Sequence, residues 1–168
     1  IVVGEKGTTS EFKYETYTAH GSTNVRITKY IGSSSVVSIP SSIGGYTVTG
    51  IGYKSFQDKK ITEVSIPDTV TWIDDYAFDG CSSLSSLTLP QNVISLGGKI
   101  ISGTAISSII VPKSVTSCVY DDAGVFSGAK SLESIIFEDG IKRIPDYICS
   151  ESYISNVSIP SSVTEIGG

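Results

Sequence analysis

Apolar residues recur along this chain in a fixed arrangement around a proline position. In chain order, that position is occupied by Pro40, Pro67, Pro90, Pro112, Glu138 and Pro160. The intervals between these residues are 27, 23, 22, 26 and 22 residues. A period in this range is typical of a solenoid, in which each repeat forms one winding and stacks on the next.

Each repeat begins with a short predicted strand. One apolar residue lies three positions before the proline position and another lies one position before it. From the second repeat onward, a further apolar residue lies six positions before it. The three-before set is Val37, Val64, Leu87, Ile109, Ile135 and Val157, the one-before set is Ile39, Ile66, Leu89, Val111, Phe137 and Ile159, and the six-before set is Ile61, Leu84, Ile106, Leu132 and Ile154. Alternate apolar, mostly β-branched residues predict a strand with one buried face. Proline then ends the strand because it lacks a backbone N–H.

The second half of each repeat is predicted to be a turn. In the repeat 61–84, apolar residues continue at Val70 and Ile73, and Phe78 follows the short piece DDYA. A short piece that ends in a large side chain suits one turn of α- or 3₁₀-helix. We expect this turn to lie on the side opposite the strand.

A single repeat cannot be stable alone. It orders about 23 residues at roughly 1–2 kcal/mol each, and its half-dozen apolar side chains return only about 1.5–3 kcal/mol apiece. The repeats must therefore stack, with their strands parallel and about 4.8 Å apart. We predict a β-rich α/β fold over residues 34–168: a right-handed solenoid of about six windings with one parallel β-sheet, the last winding being incomplete.

The N-terminal segment is predicted to be a β-hairpin cap. Residues 12–14 and 25–27 alternate in polarity on either side of AHGSTN, which is a hairpin pattern. We assign residues 1–33 to a cap over the first winding, whose core and strand edge would otherwise meet water. Residues 1–10 lack an initiating Met and the features of a signal peptide, and the sequence stops half-way through the sixth repeat. We expect the natural protein to be longer.

The stretch SIPDTVTWIDDYAFDGCSSLSSLTLP, residues 65–90, resembles the BspA-type leucine-rich repeat, with its I-P, I-G-x-x-A-F and G-C-x-x-L signatures. The resemblance covers roughly residues 12–168. It departs at the Cys81 position, which holds Thr104, Ala129 and Ser152 in later repeats, at the insertion within VYDDAGVF, and at Glu138. It implies a leucine-rich-repeat solenoid from a secreted or surface-attached bacterial protein that adheres to host extracellular-matrix or cell-surface proteins.

Composition and charge exclude two classes of partner. The chain has 168 residues, a net charge of −5 and scattered lysines and arginines, so the phosphate backbone of a nucleic acid would be repelled. No apolar run approaches the length of about 18 residues that a membrane-spanning helix needs. We therefore expect neither nucleic-acid binding nor membrane insertion.

The residues that could support catalysis or metal binding are few. Of the three cysteines, Cys118 and Cys149 occupy positions that are large and apolar in other repeats, which indicates packing rather than chemistry. A nucleophile needs a base within hydrogen-bond reach, and the single histidine, His20, falls in the predicted hairpin loop. The pairs Asp74–Asp75 and Asp121–Asp122 lack the oxygen spacing of a calcium loop. We expect no enzyme activity, no metal and no cofactor.

The solvent side of the predicted strands is the first candidate for protein binding. Its positions are mostly Ser and Thr, with Val36 and Glu63 in the first two repeats and Ile110 and Ile136 at equivalent positions of two neighbouring repeats. The two isoleucines should touch and form an exposed apolar spot, which often marks a contact site. The alternative is that they only stabilise the strands by cross-strand packing.

The second candidate is Trp72 together with Tyr76. Trp72 occupies a turn position that holds small or polar residues in other repeats, and Tyr76 occupies one that holds Lys54, Lys99 and Tyr147. Exposed Trp and Tyr are favoured anchors at interfaces. The alternative for Trp72 is packing over Gly50 of the preceding repeat. The predicted function is a non-catalytic protein-binding or adhesion module of a secreted or cell-surface protein, with a structural spacer or an accessory module of a larger protein as the alternatives.

Overall fold

The computed structural model describes residues 2–119 and 123–168 and consists of strands and turns. The strands are β1 (Val2–Thr8), β2 (Phe12–Ala19), β3 (Ser22–Tyr30), β4 (Val36–Ser38), β5 (Ser42–Ile43), β6 (Tyr46–Ile51), β7 (Glu63–Ser65), β8 (Trp72–Ile73), β9 (Ser95–Leu96), β10 (Ser108–Val111), β11 (Ser117–Cys118), β12 (Ser134–Phe137), β13 (Arg143–Ile144), β14 (Asn156–Ser158) and β15 (Glu165–Ile166). From β4 onward, the chain winds as a β-solenoid of about six turns.

Two parallel ladders of strands run along the solenoid, where the sequence predicts one sheet. The first ladder precedes the proline position and contains the pairs β4–β7, β10–β12 and β12–β14. The second follows the proline position and contains β6–β8–β9–β11 and the pair β13–β15. In both ladders equivalent residues of successive repeats are paired, so the predicted repeat register is confirmed. Proline removes a donor between the two ladders, and the chain then resumes pairing at β8 and its equivalents.

The first ladder is interrupted at the third winding. Residues 84–89 form no strand, although Leu87 and Leu89 remain buried. Within the described residues, Ser86, Leu87 and Thr88 make no backbone hydrogen bond to the windings on either side. The first ladder is therefore split into a two-stranded part, β4–β7, and a three-stranded part, β10–β12–β14.

The predicted helical turns are absent from the described residues, which form irregular turns instead. The reason is visible in the backbone: one position of the turn has positive φ at Lys54, Tyr76, Lys99 and Tyr147, and a later one at Asp58, Gly80, Gly103, Gly128 and Glu151. A left-handed residue interrupts a right-handed helix. The turn N–H groups bond to the next winding instead, as from Phe56 N to Ala77 O at 2.9 Å and from Phe78 N to Ile100 O at 2.9 Å.

The core is a column of stacked side chains that runs through the windings. Tyr30, Phe56 and Phe78 are all at most 1% exposed, and their rings stack with centroids 5.5 and 5.1 Å apart. The predicted inward positions are buried in most of the middle windings, and Ile66 and Cys118 are partly buried. In the winding that contains β14, Val157 is 47% exposed, whereas its equivalent Ile135 is fully buried.

The N-terminal strands form an antiparallel unit joined to the solenoid. Strands β2 and β3 pair as a hairpin, β1 adds to the outside of β2, and β3 pairs in parallel with β6. Glu15 is buried and its carboxylate is paired with the Arg26 guanidinium. Between Ile43 and Ile51 the first winding has five residues more than the second has between Val70 and Ile73. These additional residues lie in a second small hairpin, β5–β6, whose turn residues Gly44 and Gly45 have φ of 60° and 83°.

Candidate interaction surfaces

The front face is the solvent side of the first ladder and contains four of the predicted binding residues. Val36 and Glu63 are paired across β4 and β7, and Ile110 and Ile136 across β10 and β12. Val36 is 56%, Ile110 55% and Ile136 38% exposed. The structure brings the two isoleucines together as neighbours, and it places the interrupted winding between them and the Val36–Glu63 pair.

A cleft of about 260 Å³ opens at this interruption. Its walls combine apolar and polar groups: Ser86, Leu87, Thr88, Leu89, Gln91, Ser108, Ile110, Pro112 and Ile136. The backbone N–H and C=O groups of the interrupted winding lie next to the exposed isoleucine pair. Such a site can bind an apolar side chain and also satisfy main-chain groups of a partner segment.

Trp72 lies against Gly50 and the N-terminal unit. A side chain at Gly50 would collide with the Trp72 ring. The indole N–H donates to the Tyr17 hydroxyl at 3.2 Å, the Tyr17 and Trp72 rings meet edge to face at 6.2 Å, and Tyr17 is hydrogen-bonded to Thr49 at 2.6 Å. The half-buried Trp72 therefore joins the hairpin to the first and second repeats, and only part of its ring is available to a partner.

Tyr76 belongs to a row of aromatic and basic side chains on the turns. Lys54, Tyr76 and Lys99 have φ of 53°, 57° and 53° at the same position of three successive windings. The Lys54 ammonium lies 5.0 Å from the Tyr53 ring and 5.1 Å from the Tyr76 ring, and the Lys99 ammonium lies 5.6 Å from the Tyr76 ring. We call Tyr53, Lys54, Tyr76 and Lys99 the tyrosine–lysine ladder.

Sequence reasoning did not propose Tyr17, Tyr53, Lys54 or Lys99 as site residues. The alternation of Lys and Tyr at one repeat position was a visible signal for the ladder. Tyr17 had no such signal, because it meets Trp72 across 55 residues of sequence.

The cysteines are free thiols held inside the windings. The Cys81 thiol is buried and donates to the Phe56 carbonyl at 3.0 Å. Burial raises the pKa of Cys81 to about 11 and that of Cys118 to about 12, and it also raises the pKa of Cys149. Thiols with such values are protonated at neutral pH and are poor nucleophiles.

The other candidate chemical groups have local structural roles. His20 is exposed in the turn between β2 and β3 with φ of 51°. The Asp74 carboxylate accepts the Asp75 N–H at 2.9 Å, and the Asp75 carboxylate accepts the Gly98 N–H at 2.5 Å. The pair Asp121–Asp122 lies outside the described residues. In the part of the chain that the structure covers, no three His, Cys, Asp or Glu side chains are grouped as metal ligands would be.

The fold defines a class of protein, the parallel β-solenoid with an apolar repeat skeleton and an accessible strand face. The chain belongs to the BspA-type leucine-rich repeat family, whose profile matches residues 49–168 as six copies. Residues 1–48 lie outside that match. The resemblance seen in the sequence began at about residue 12, so the family profile does not support its first part, residues 12–48.

Solved structures agree with this assignment. A leucine-rich repeat protein from Bacteroides capillosus is 27% identical with a TM-score of 0.67, and the match covers 79% of this chain and 98% of that protein. A leucine rich cell surface protein from Faecalibacterium prausnitzii is 25% identical with a TM-score of 0.61, and the match covers 97% of this chain but only 45% of that protein. The pneumococcal vaccine antigen PcpA shares the fold, with 17% identity and a TM-score of 0.70 over 100% of this chain and 47% of that protein.

None of the curated proteins compared matches the chain. Among the described residues there is no helix with the length and hydropathy that a membrane crossing requires.

Proposed function

We propose that this chain is a non-catalytic protein-binding module of a secreted or cell-surface bacterial protein, and that it binds an extracellular-matrix or cell-surface protein of a host. The observation that carries the proposal is the front-face cleft beside the exposed pair Ile110 and Ile136. An apolar spot within a surface of small polar side chains has the composition of an interface anchor. The surface location is supported by the resemblance to the Faecalibacterium prausnitzii cell surface protein.

The partner segment would meet the cleft through both side chains and main chain. An apolar side chain would pack between Ile110, Ile136 and Pro112, which line the cleft together with Leu87. Backbone groups of Ser86 to Thr88 would bond to the partner, since those groups make no backbone bond to neighbouring windings in the described structure. Val36 and Glu63 extend the same face on the other side of the interruption.

The remaining parts of the architecture would support this surface. We assign residues 1–33 to a cap, because Phe12 and Tyr30 close over Phe56 at ring distances of 6.4 and 5.5 Å. Residues 34–168 would form one continuous right-handed repeat array, the hand that parallel crossovers almost always take. Trp72 and Tyr76 would contribute at the turns rather than on the front face.

The experiment measures binding of the chain to a panel of immobilised matrix proteins (fibronectin, laminin and collagen) by biolayer interferometry. The variant Ile110→Ser/Ile136→Ser should weaken binding by about tenfold or more, because each truncation removes about 1 kcal/mol of buried apolar contact. Ile94→Ser is the matched control, since Ile94 is 50% exposed and lies outside the cleft. Trp72→Ala tests the turn side.

Two outcomes would contradict the proposal. Equal binding by the wild type and the double variant would show that the cleft is not the site. Failure of the wild type to bind any protein of the panel would favour the spacer or accessory role, in which the array positions another domain without contacting a ligand.

A further inference from the structure

The N-terminal strands carry a cleft that the front-face function does not use, and we call it the N-terminal cleft. Its volume is about 430 Å³, and it is lined by Lys6, Gly7, Thr8, Lys13, Tyr14, Glu15 and Thr28. Lys6 is paired with Glu15 and Thr8 with Lys13 across β1 and β2. Side chains of directly opposite residues stand on the same face of an antiparallel pair, so these four side chains share one face of the sheet.

A break in the strand register shapes this cleft. Lys13 is paired with Lys29 and Tyr14 with Ile27, so Thr28 is an extra residue with no partner opposite it on β2. A bulge of this kind bends the strand and increases its local twist. Thr28 consequently lines the cleft together with residues from both of the other strands.

Three lysines on this face stand close together without partners of opposite charge. Lys13 and Lys29 are directly opposite each other on β2 and β3, and like charges in that arrangement destabilise a strand pair. Lys6 lines the same cleft from β1. None of the three takes part in an ion pair with a described residue. An anion bound between them would relieve this repulsion.

The carboxylates of the N-terminal unit do not cancel this positive charge. Glu15 lines the cleft, but it is buried in an ion pair with Arg26, and that pair has no net charge. Glu5 lines a separate, smaller cavity. Glu11 lies near the core ring of Tyr30, whose pKa is raised by burial and, to a smaller extent, by Glu11. The described residues that line the cleft therefore carry a net positive charge.

We propose that the N-terminal cleft binds a phosphate or sulfate group, with Lys6, Lys13 and Lys29 supplying charge and Thr8 and Thr28 supplying hydroxyl donors. A phosphate group carries almost two negative charges and three strong acceptor oxygens, whereas a carboxylate has one charge and two oxygens. Donors from three strands suit the first better. The volume is that of a small-molecule site, so the group belongs to a small ester or is the free ion.

The test follows the backbone amide resonances of the isotope-labelled chain by NMR at neutral pH and constant ionic strength. The probes are inorganic phosphate, inorganic sulfate, glycerol phosphate and acetate. Phosphate and sulfate should shift the amides of residues 6–8, 13–15 and 28 in a saturable way and leave those of the repeats unchanged, whereas acetate should bind much more weakly. Tighter binding of glycerol phosphate than of inorganic phosphate would identify an ester as the ligand, and equal binding the free ion.

Two variants separate the contributions of charge and hydroxyl groups. Lys6→Gln/Lys13→Gln should raise the Kd for phosphate by about tenfold, since each exposed charge contact contributes up to about 1 kcal/mol. Thr28→Val keeps the shape and the charge but removes a donor, and it should raise the Kd severalfold. Lys60→Gln/Lys142→Gln removes the same charge at two exposed positions of the repeats and should leave the Kd nearly unchanged.

Any of three results would overturn the proposal: no saturable shift of the cleft amides with either tetrahedral anion, the same Kd for the wild type and Lys6→Gln/Lys13→Gln, or acetate binding as tight as that of phosphate. Ile110→Ser/Ile136→Ser should bind phosphate like the wild type. Failure of the front-face proposal can thus be told apart from failure of this one.

Discussion

At the scale of single residues, the shape of each winding depends on a few backbone positions with positive φ. The later of the two turn positions holds Gly80, Gly103 and Gly128 in the middle windings but Asp58 and Glu151 near the ends. Glycine adopts this conformation without the steric cost that a Cβ imposes. At this position, therefore, Asp58 and Glu151 carry a backbone strain that the three glycines avoid.

Gly103→Ala should destabilise the protein by about 1–2 kcal/mol. The cost is conformational, because a Cβ at Gly103, whose φ is 66°, would meet only backbone atoms of Gly80 at an ordinary 3.5 Å. Urea unfolding measures the change. Gly103→Asn is the control and should cost less, since Asn tolerates positive φ better than Ala; equal losses for both variants would show that the position is sensitive to bulk instead.

At the scale of the elements, the sequence predicted the strands and the core better than the turns. The positions of Val64, Ile73 and Phe78 follow from the repeat, and all three are buried. The second ladder and the irregular turns were missed, because DDYA is as compatible with a helical turn as with a left-handed residue at Tyr76. Only the hydrogen bonds between windings decide between the helical and the irregular turn. The sequence of a single repeat does not contain those hydrogen bonds.

The candidate binding site was also predicted only in part. The contact between Ile110 and Ile136 follows from the repeat register, and the structure pairs them. The cleft beside them could not be predicted, because it depends on residues 84–89 failing to pair. Their sequence, LSSLTL, alternates like that of the paired strands.

The pairing of β13 with β15 is supported by a network centred on Arg143. The guanidinium donates to both Asp146 carboxylate oxygens at 3.0 and 2.9 Å and to the Glu165 carboxylate at 2.8 Å. The Arg143 hydrogen bond and the Gly168 N–H lower the pKa of Asp146. A lowered pKa means that this carboxylate stabilises the fold above its ordinary pKa and stops doing so as pH falls through the folded value.

Arg143→Gln should raise the pKa of Asp146 toward its ordinary value. An NMR pH titration that follows the Asp146 side-chain carboxyl carbon measures this directly. Lys142→Gln, which removes a neighbouring charge but none of these hydrogen bonds, should leave that pKa nearly unchanged. An unchanged Asp146 pKa in Arg143→Gln would show that the bidentate contact does not persist in solution.

At the scale of the whole molecule, stability should vary along the array, because each winding is stabilised mainly by its neighbours. Middle windings are covered on both sides, whereas the last one leaves Val157, Ile159 and Ile166 about half or more exposed. In a polypeptide of these 168 residues, local opening should therefore be easiest in the winding that contains β14.

Hydrogen–deuterium exchange of the intact chain tests this gradient. Backbone amides of β12 should exchange at least about tenfold more slowly than those of β14, although the two strands are paired with each other. Strand β8, inside the array, is the internal reference and should be protected like β12. Uniform protection from β8 to β14 would mean that the array opens only as one cooperative unit.

The hydrogen bonds between windings also limit how such a protein can change in size. Each turn donates its N–H groups to carbonyls at fixed positions of the next one, as Phe56 does to Ala77 and Phe78 to Ile100. Duplicating one complete repeat would supply every donor with a matching acceptor, whereas adding part of a repeat would leave some unmatched. The five extra residues of the first winding show how a partial addition is accommodated: the chain turns at Gly44 and Gly45, and Tyr46 and Thr47 pair back onto Ile43 and Ser42. Evolution can therefore lengthen the array by whole repeats, whereas a shorter insertion forms a local hairpin within one winding.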